Sequence, residues 1–216
     1  MFFYDRKEAG QVLATELAAY KAKNGVLVLG LARGGVVVAY EVAKELHLPL
    51  NVIVPRKIGA PGNPELAIGS ILENGEGVFN TSIIRTLGIS QDYIKREVEK
   101  ERGRAEQRLA LYRQYAPLPD IQQRTVILVD DGIATGSTML TSIKAMRQAK
   151  AKFIVVAAPV SSTEAYQLVS EMADEVVCPH VREEFMAVGM YYENFFQTDD
   201  QEVVQFLKRK FPFLME

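Results

Sequence analysis

The sequence predicts a Rossmann-like α/β fold, in which an open parallel sheet is flanked by helices on both faces. Short β-branched runs bounded by turn residues alternate along the chain with longer segments of helical spacing. Such alternation is typical of a parallel sheet. A length of 216 residues with 48% hydrophobic content suits the core of one sizeable domain. We therefore expect a single domain over 1–216, with additions to a core at about 25–180.

The first third of the chain predicts a βαβ unit that follows an opening helix. Helical spacing covers residues 6–23, and the apolar run Val26–Leu31 predicts a buried strand. A helix at Val36–Leu46 and a second strand at Asn51–Pro55 follow. The next segment, 57–80, is dense in glycine and proline, which favours a mobile loop with a short hairpin.

An inserted charged helix is predicted at about 90–115, with Ser90 as its N-cap. A thin apolar stripe runs along it, formed by Ile94, Val98, Leu109 and Tyr112. Its arginines are interleaved with glutamates at spacings of three and four residues, which pair on a helix surface. We therefore expect a solvated face on a surface helix and not a nucleic-acid site.

The second half of the chain predicts the rest of the sheet and a C-terminal cap. Strands are expected at Thr125–Val129, Phe153–Pro159 and Glu175–Cys178, and helices at 137–149, 162–172 and 200–210. Residues 179–216 follow the last core strand and begin with an aromatic-rich stretch. This region predicts a hood over the carboxyl edge of the sheet.

The composition indicates no general attraction to nucleic acid or anionic lipid. With 25 basic and 27 acidic residues, the formal charge is −2 and the pI is near 5.9, so an anion site must be local. The longest apolar run, Val26–Ala32, is far shorter than a membrane span, and the first residues carry charges where a secretion signal needs an apolar stretch. A single cysteine, Cys178, cannot form a disulfide within the chain. We expect a soluble cytoplasmic protein in which Cys178 is a small buried residue, with no nucleic-acid or membrane partner.

The segment 126–138 combines the features of an anion site. It runs from an apolar strand through Asp130 and Asp131 into a turn that is rich in Gly, Ser and Thr and opens a helix. The first N–H groups of a helix have no partner within it, and the positive end of its dipole attracts anions. With added hydroxyl donors, the turn predicts a cradle for one phosphate. The cradle residues are Ala134, Thr135, Gly136, Ser137 and Thr138.

The two carboxylates favour a sugar beside that phosphate. Asp130 and Asp131 would repel a second phosphate but accept hydrogen bonds well from hydroxyl groups. Ribose 5-phosphate satisfies both halves of the segment. Because side chains alternate along a strand, one of the two acids can face a bound metal or a lysine. The alternative is a strand end followed by an ordinary capped helix, which accounts for neither the acids nor the hydroxyls.

The segment VILVDDGIATGST closely resembles the phosphoribosyl pyrophosphate (PRPP) signature of type I phosphoribosyltransferases. The resemblance implies that family's fold and the transfer of a 5-phosphoribosyl group from PRPP to a nitrogenous base, with release of pyrophosphate. It assigns the ribose hydroxyls to Asp130 and Asp131 and the 5-phosphate to residues 134–138. It also implies a homodimer and Mg²⁺ carried mainly by PRPP, with a possible contact to Asp130 or Asp131. Ala134 stands where members that act on 6-oxopurines carry an Asp, which argues against hypoxanthine or guanine.

Two further segments predict contacts to the leaving pyrophosphate. Ala32-Arg33-Gly34-Gly35 follows the first strand, where two glycines permit unusual backbone angles and Arg33 can bind phosphate through two N–H groups. It resembles the family's pyrophosphate loop. Arg56 and Lys57 follow the second strand, at the edge where open α/β folds bind ligands. The alternatives are an ordinary glycine turn and a solvated basic pair.

The remaining candidates concern the acceptor base. Residues 58–72 resemble the family's flexible catalytic loop, and Glu65 is a candidate proton donor or acceptor within it. A base could stack on the aromatic hood. The hood residues noted are Pro179, His180, Arg182, Phe185, Met186, Tyr191, Tyr192 and Phe195. The alternatives are a surface glutamate and ordinary aromatic packing.

Other functional classes fit the motifs poorly. A haloacid dehalogenase phosphohydrolase needs Asp-x-Asp, whereas Asp130 and Asp131 are adjacent, and a receiver domain carries its acids near its N-terminus. A P-loop needs Gly-Lys-Ser/Thr, but Ser137 directly follows Gly136. Two histidines and one cysteine do not provide a usual zinc set. A PRPP-binding regulator that lacks transferase activity remains the open alternative to an enzyme.

Overall fold

A computed structural model of the chain describes residues 3–72, 77–117 and 120–209, with the side chain of Glu65 outside the described part. The strands are β1 (Val26–Leu31), β2 (Leu50–Ile53), β3 (Arg56–Ala60), β4 (Asn63–Ile71), β5 (Gly77–Phe79), β6 (Thr125–Val129), β7 (Phe153–Ala157), β8 (Val160–Ser162), β9 (Glu175–Val177) and β10 (His180–Arg182). The helices are α1 (Arg6–Glu16), α2 (Gly34–Leu46), α3 (Thr81–Thr86), α4 (Gln91–Tyr112), α5 (Ser137–Gln148), α6 (Thr163–Ser170) and α7 (Asp200–Lys208).

Five parallel strands form the central sheet in the order β2-β1-β6-β7-β9. The predicted fold class, an open parallel sheet flanked by helices, is therefore confirmed. Strands β1 and β6 are neighbours, and Gly30 is paired with Val129 near their carboxyl ends. Because parallel strands end at the same edge, the loops that follow β1 and β6 lie side by side. The fold thus brings together two segments that are far apart in the sequence.

The core lies on both faces of this sheet. On one face, α1 and α2 bury apolar side chains such as Leu13 and Val38 against β1 and β6. On the other face, α5 and α6 contribute Ile143 and Val169 to a second cluster. Full burial of a side chain of this size contributes about 1.5–3 kcal/mol before entropy costs. Both faces of the sheet are therefore apolar, as the continuous apolar strands predict.

The opening helix is shorter than the predicted 6–23. Helix α1 ends at Glu16 and is followed by a short 3-10 turn at Ala18–Tyr20. The chain then reverses into β1 through Ala22 and Gly25, which have φ values of 52° and 76°. Leu17, which follows α1, has already left α-helical geometry with a φ of −93° and a ψ of 11°. The left-handed backbone at Ala22 then prevents a helix from continuing to residue 23.

The glycine-rich segment is more ordered than the predicted mobile loop. Strands β3, β4 and β5 form an antiparallel sheet, with a tight turn in which Gly62 has a φ of 72°. Ile58 and Ile68 are fully buried in a cluster that includes Ile94 of α4. This small core holds the segment against the rest of the protein. The glycines of the described part serve turn geometry and close packing. The predicted hairpin is present but is longer than expected and belongs to a three-stranded sheet, while the mobility of the segment stays a prediction.

Helix α4 confirms its predicted N-cap, since Ser90 accepts a hydrogen bond of 3.2 Å from the Tyr93 N–H. Ion pairs of the predicted spacing also form on its outer face, as between Arg102 and Glu106. The opposite face is buried, however, and Glu101 is only 6% exposed. The helix therefore connects the β3-β4-β5 sheet to the rest of the core. The predicted solvated surface is present on its outer face only.

The region after the last core strand divides into two parts. Strand β10 pairs with β8, and the following residues form a hood beside the carboxyl edge of the central sheet. Helix α7 leaves the hood and buries Val203 and Val204 against α2 and α4. The predicted cap at 179–216 is thus a hood followed by a helix of the core, and residues 210–216 lie outside the described part. Among the described residues, no helix is both long and apolar enough to cross a membrane.

Candidate active site at the carboxyl edge of the sheet

The glycine loop after β1 lies directly against the acid pair after β6. A Cβ on Gly35 would stand 2.7 Å from the carbonyl oxygen of Val129 and 2.8 Å from Asp130 Oδ1. A Cβ on Gly34 would overlap Asp131 Oδ2. The structure therefore brings together the predicted pyrophosphate loop and the predicted ribose-binding acids.

The reason for the two glycines differs from the predicted one. Gly34 and Gly35 begin α2, and neither has a positive φ. The prediction of unusual backbone angles at these residues is wrong, because it is the lack of a side chain that permits their contact with the acids. The peptide bond between Ala32 and Arg33 is cis.

The two acids differ in environment. Asp130 Oδ1 accepts a hydrogen bond of 2.9 Å from the backbone N–H of Asp131. Burial and the neighbouring charge of Asp131 raise the pKa of the Asp130 carboxyl well above its usual range. The two half-buried carboxyls thus have different surroundings, and the role of each in binding stays a prediction.

Asp131 is bound by a residue that sequence reasoning missed. Its Oδ2 accepts a hydrogen bond of 2.7 Å from Nε of Arg6, and its carbonyl oxygen accepts one of 2.6 Å from the hydroxyl of Tyr192. The prediction allowed for a metal or a lysine opposite one acid, and the structure places an arginine there. The sequence contained one signal of this contact. Arg6 stands at the first position of a helix, where the helix dipole disfavours a cation, so a partner elsewhere could have been expected.

Two serines of β8 form hydrogen bonds with the predicted phosphate loop and the residue before it. Ser162 Oγ donates a hydrogen bond of 2.8 Å to the carbonyl oxygen of Ala134, and Ser161 Oγ donates one of 3.3 Å to that of Ile133. Gly136 caps α5 with a φ of 76°, a conformation that favours glycine. The loop therefore has a fixed shape, and its glycine has no side chain that could occupy the helix N-terminus.

The hydroxyl groups of this loop lie close to one another and near solvent. Thr135 is exposed and its Oγ1 lies 3.3 Å from Oγ of Ser137, while Ser137 and Thr138 are half-buried. Ala134 is also exposed. This arrangement of hydroxyl and backbone donors suits a phosphate monoester.

The two residues of the predicted basic pair lie in different surroundings. Arg56 donates hydrogen bonds of 2.9 and 2.6 Å to Oε2 of Glu101, so its guanidinium is held by α4. Lys57 is exposed, and both residues line a cavity of about 500 Å³ between the hairpin and α4. Residues 130–138 do not line this cavity. Glu65 belongs to β4, but its side chain lies outside the described part.

Arg33 caps the start of α2 and is half-buried. Its charge reaches Tyr112, whose pKa is raised by burial and by its hydrogen bond to Asp200, with Arg33 acting in the opposite direction. The predicted pyrophosphate loop thus carries one half-buried cation, Arg33.

The hood packs against the acid loop at one point and presents apolar side chains beyond it. A Cβ on Gly132 would stand 2.5 Å from Cγ1 of Val188, so the hood touches the loop directly. Phe185 stacks on Tyr191 with ring centroids 5.1 Å apart, and the neighbouring Met186 is 83% exposed. The predicted hood lies where it could cover a ligand.

His180 of the predicted hood and the neighbouring Cys178 pack against other residues. The rings of His180 and Phe3 are 5.4 Å apart, and burial lowers the pKa of His180. Cys178 is half-buried, and burial raises the pKa of its thiol to about 11, so it behaves as a packed residue. Within the described ranges, no three His, Cys, Asp or Glu side chains gather as a metal site.

The fold and this site together define a class of protein. An open α/β sheet with a glycine loop, an acid pair and a hydroxyl loop at neighbouring strand ends is an architecture for binding a phosphorylated sugar. The family model of the phosphoribosyl transferase domain matches residues 5–193, and the chain belongs to that family.

Similar proteins agree with this family. Two Mycobacterium tuberculosis proteins, from strains CDC 1551 and H37Rv, carry provisional names as phosphoribosyl transferases. Each is 43% identical over 210 residues, which are 96% of this chain and 46% of the relative. The chain therefore spans about half the length of these curated relatives. The crystal structure of TT1426 from Thermus thermophilus is 42% identical, with a TM-score of 0.81 over 96% of this chain and 98% of that one.

Proposed function

We propose that this protein transfers the 5-phosphoribosyl group of PRPP to a nitrogenous base and releases pyrophosphate. The observation that carries the proposal is the direct packing of Gly34 and Gly35 against Asp131 and Asp130. This packing brings a candidate pyrophosphate loop beside a candidate ribose site, as a substrate with a pyrophosphate on ribose C1 requires.

Binding of the ribose 5-phosphate would use two neighbouring segments. The backbone N–H groups and hydroxyls of Ala134–Thr138 would hold the 5-phosphate. Asp130 and Asp131 would accept hydrogen bonds from the ribose hydroxyls. The serines of β8 would keep the phosphate loop in shape, because they hold its carbonyl oxygens.

The leaving pyrophosphate would lie along Ala32–Gly35. Gly34 and Gly35 allow close approach of the backbone, and Arg33 and Lys57 would supply positive charge. Arg56 would reach the pyrophosphate only by breaking its ion pair with Glu101. Its main role would therefore be to connect the hairpin to α4. Lys57 lines the separate cavity between the hairpin and α4, so it would have to reach the pyrophosphate from there. Arg33, which belongs to the loop itself, is therefore the first candidate cation for the leaving group, and Arg56 supports the hairpin.

The acid pair fits a divalent cation that arrives with PRPP. Asp130 and Asp131 are hard oxygen donors. Burial, and next the charge of Asp131, raise the pKa of Asp130, while Arg6 acts in the opposite direction. Either carboxylate would contact Mg²⁺ that is held mainly by PRPP oxygens. When bound, Mg²⁺ would neutralise charge on the pyrophosphate.

The transfer itself needs positioning more than covalent help. The bond from ribose C1 to the pyrophosphate oxygen breaks, a bond from C1 to the base nitrogen forms, and the proton of that nitrogen leaves to a carboxylate or to solvent. Glu65 is our candidate for that carboxylate. Asp130 and Asp131 would hold the cationic ring, and the hood would exclude water, the competing nucleophile.

The hood would also receive the base. Phe185 and Tyr191 already form one stack, beside which Met186 is exposed. Ala134 argues against a 6-oxopurine acceptor. We further propose a homodimer in solution, for which sedimentation velocity at several protein concentrations is the test.

A regulatory PRPP-binding protein is the second candidate. The observation in its favour is the β3-β4 hairpin, which is packed on α4 through Ile58 and Ile94 and tied by Arg56. A sensor needs no loop that closes over its ligand, whereas a transferase must exclude water from the reacting ring.

Calorimetric titration of PRPP with Mg²⁺ tests the proposal. Wild type should bind saturably, and Asp130→Asn/Asp131→Asn should not, while Asp92→Asn on the exposed start of α4 serves as the control. A screen for pyrophosphate release across purine and pyrimidine bases then follows. Release with one base establishes a transferase, binding without release establishes the regulator, and no binding by wild type rejects both.

A further inference from the structure

Arg6 occupies a position that helix stability does not explain. It is the first residue of α1, where the dipole favours acids and disfavours cations. The preceding Asp5 caps the helix and accepts a hydrogen bond of 2.9 Å from the N–H of Glu8. Acids thus stabilise this helix end, and Arg6 must gain its stabilisation elsewhere.

The Arg6 side chain contacts three other residues. Its Nε donates to Asp131 Oδ2 at 2.7 Å, its Nη1 donates to the carbonyl oxygen of Phe196 at 2.7 Å, and its guanidinium lies 3.8 Å from the ring centre of Phe195. It therefore connects α1, the acid pair and the end of the hood.

The ion pair that Arg6 forms is largely removed from water. The side chains of Arg6 and Asp131 are 11% and 14% exposed. A charge at this depth needs a partner, because loss of the partner leaves it uncompensated. Arg6 also acts on Asp130, whose carboxyl is enclosed beside the same pair. Arg6 therefore places positive charge beside both acids.

We propose that Arg6 is a positioning residue for the ribose, holding the Asp131 carboxylate through Oδ2 so that Oδ1 accepts a ribose hydroxyl. This inference rests on the proposed PRPP site. It assigns to α1 a part in substrate binding that the signature segment 126–138 does not contain. Arg6 acts through Asp131 and is not itself a catalytic residue.

A purely structural role is the competing explanation, since Arg6 also joins the hood to α1. The two segments are already paired, because Phe3 donates to the carbonyl oxygen of Tyr191 at 2.8 Å and accepts from Glu193 N–H at 2.9 Å. A lysine in place of Arg6 could still neutralise Asp131. A lysine could not make the Phe196 and Phe195 contacts at the same time, because it lacks the planar fork of arginine.

Titration of PRPP with Mg²⁺ into Arg6→Gln, Arg6→Lys and Lys7→Gln separates the two roles. Lys7→Gln is the matched control, because it removes an exposed cation from the same helical turn. Arg6→Gln should weaken PRPP binding by about 10- to 100-fold, since it removes a charge-assisted hydrogen bond from a nearly buried acid. Arg6→Lys should restore binding to within about threefold of wild type, and Lys7→Gln should leave it unchanged.

Thermal unfolding of the same variants completes the test. Equal losses of PRPP affinity in Arg6→Lys and Arg6→Gln, in step with their melting temperatures, would overturn the proposal in favour of a structural tie. If Arg6→Gln does not fold, Arg6→Lys alone decides, because a folded lysine variant that binds PRPP poorly contradicts it. Failure of wild type to bind PRPP would instead remove the proposed function on which the inference rests.

Discussion

At the scale of single residues, the glycines of the site serve two different physical needs. Gly35 has ordinary helical geometry but no room for a side chain, whereas Gly136 has room and an unusual backbone conformation. A Cβ on Gly136 would meet its nearest atom at 3.6 Å, an ordinary contact distance. Substitutions at the two positions should therefore fail for different reasons.

Gly35→Ala should lower the free energy of unfolding by about 1–3 kcal/mol, because the new methyl group overpacks the site. It should also weaken PRPP binding, since relief of the overlap must move the loop or Asp130. Gly103→Ala, in the interior of α4 with nothing within 4 Å, is the control and should stabilise by up to about 1 kcal/mol. Chemical denaturation measures both, and equal stabilities would contradict the close contact at Gly35.

Substitutions at Gly136 should follow the cost of a left-handed backbone. Gly136→Ala should destabilise by about 1–2 kcal/mol, Gly136→Val by more, and Gly136→Asn by less, because asparagine tolerates this conformation. Thermal unfolding of the three variants gives the order. An order that follows side-chain volume, with Asn worse than Ala, would show that space and not φ limits this position.

At the scale of elements, the contact between α4 and the β3-β4-β5 sheet depends on one nearly buried acid. Burial would raise the pKa of Glu101, but hydrogen bonds and charges from Arg56 and Arg104 outweigh burial and lower it. Tyr93 adds a hydrogen bond of 3.0 Å from its hydroxyl to the carbonyl oxygen of Gly59. The inserted helix is therefore a support for the hairpin.

Glu101→Gln should lower the free energy of unfolding by about 2 kcal/mol at pH 7, because Arg56 and Arg104 lose the carboxylate with which they form ion pairs. The folded pKa of Glu101 is below its usual value, so its contribution is present above about pH 4.3 and is lost as pH falls further. The control is Glu99→Gln, whose acid is 67% exposed in its pair with Arg102. Denaturation from pH 7 to pH 3 should show the gap between wild type and Glu101→Gln narrowing only at the acid end.

Periodicity predicted the elements of the central sheet well, and it failed where tertiary packing sets the outcome. Val26–Leu31 and Thr125–Val129 are found as predicted, because runs of β-branched and apolar residues between turns suit a buried parallel strand. A short hairpin was predicted after the second strand, but the full extent of β3 and β4 was not, because the packing and turn roles of glycine cannot be distinguished from loop signals in sequence. Local chemistry singled out the acid pair and the candidate phosphate loop, whose binding roles stay predictions. Arg6 was not singled out, because its partner lies 125 residues away.

At the scale of the whole molecule, ligand binding should stabilise the fold. The proposed PRPP site takes residues from the ends of β1 and β6, from α1 and from the hood, so we expect only the folded chain to bind PRPP fully. At 100 times the dissociation constant, PRPP with Mg²⁺ should add about 2.7 kcal/mol to the free energy of unfolding. Thermal melts of wild type should shift upward with PRPP concentration. The Asp130→Asn/Asp131→Asn variant should not shift, and a shift in that variant would place the ligand elsewhere.

The contact of Gly34 and Gly35 with the acid pair also constrains how this protein can evolve. A larger residue at either position would displace Asp130 or Asp131. Once an acid is displaced or lost, the space that requires glycine at that position is no longer restricted. The two segments should therefore be inherited together, although they are encoded far apart. Among descendants of this gene, a copy that has lost the acids should be free to accept larger side chains at 34 and 35. The loss of these glycines would then identify lineages in which the site has been abandoned.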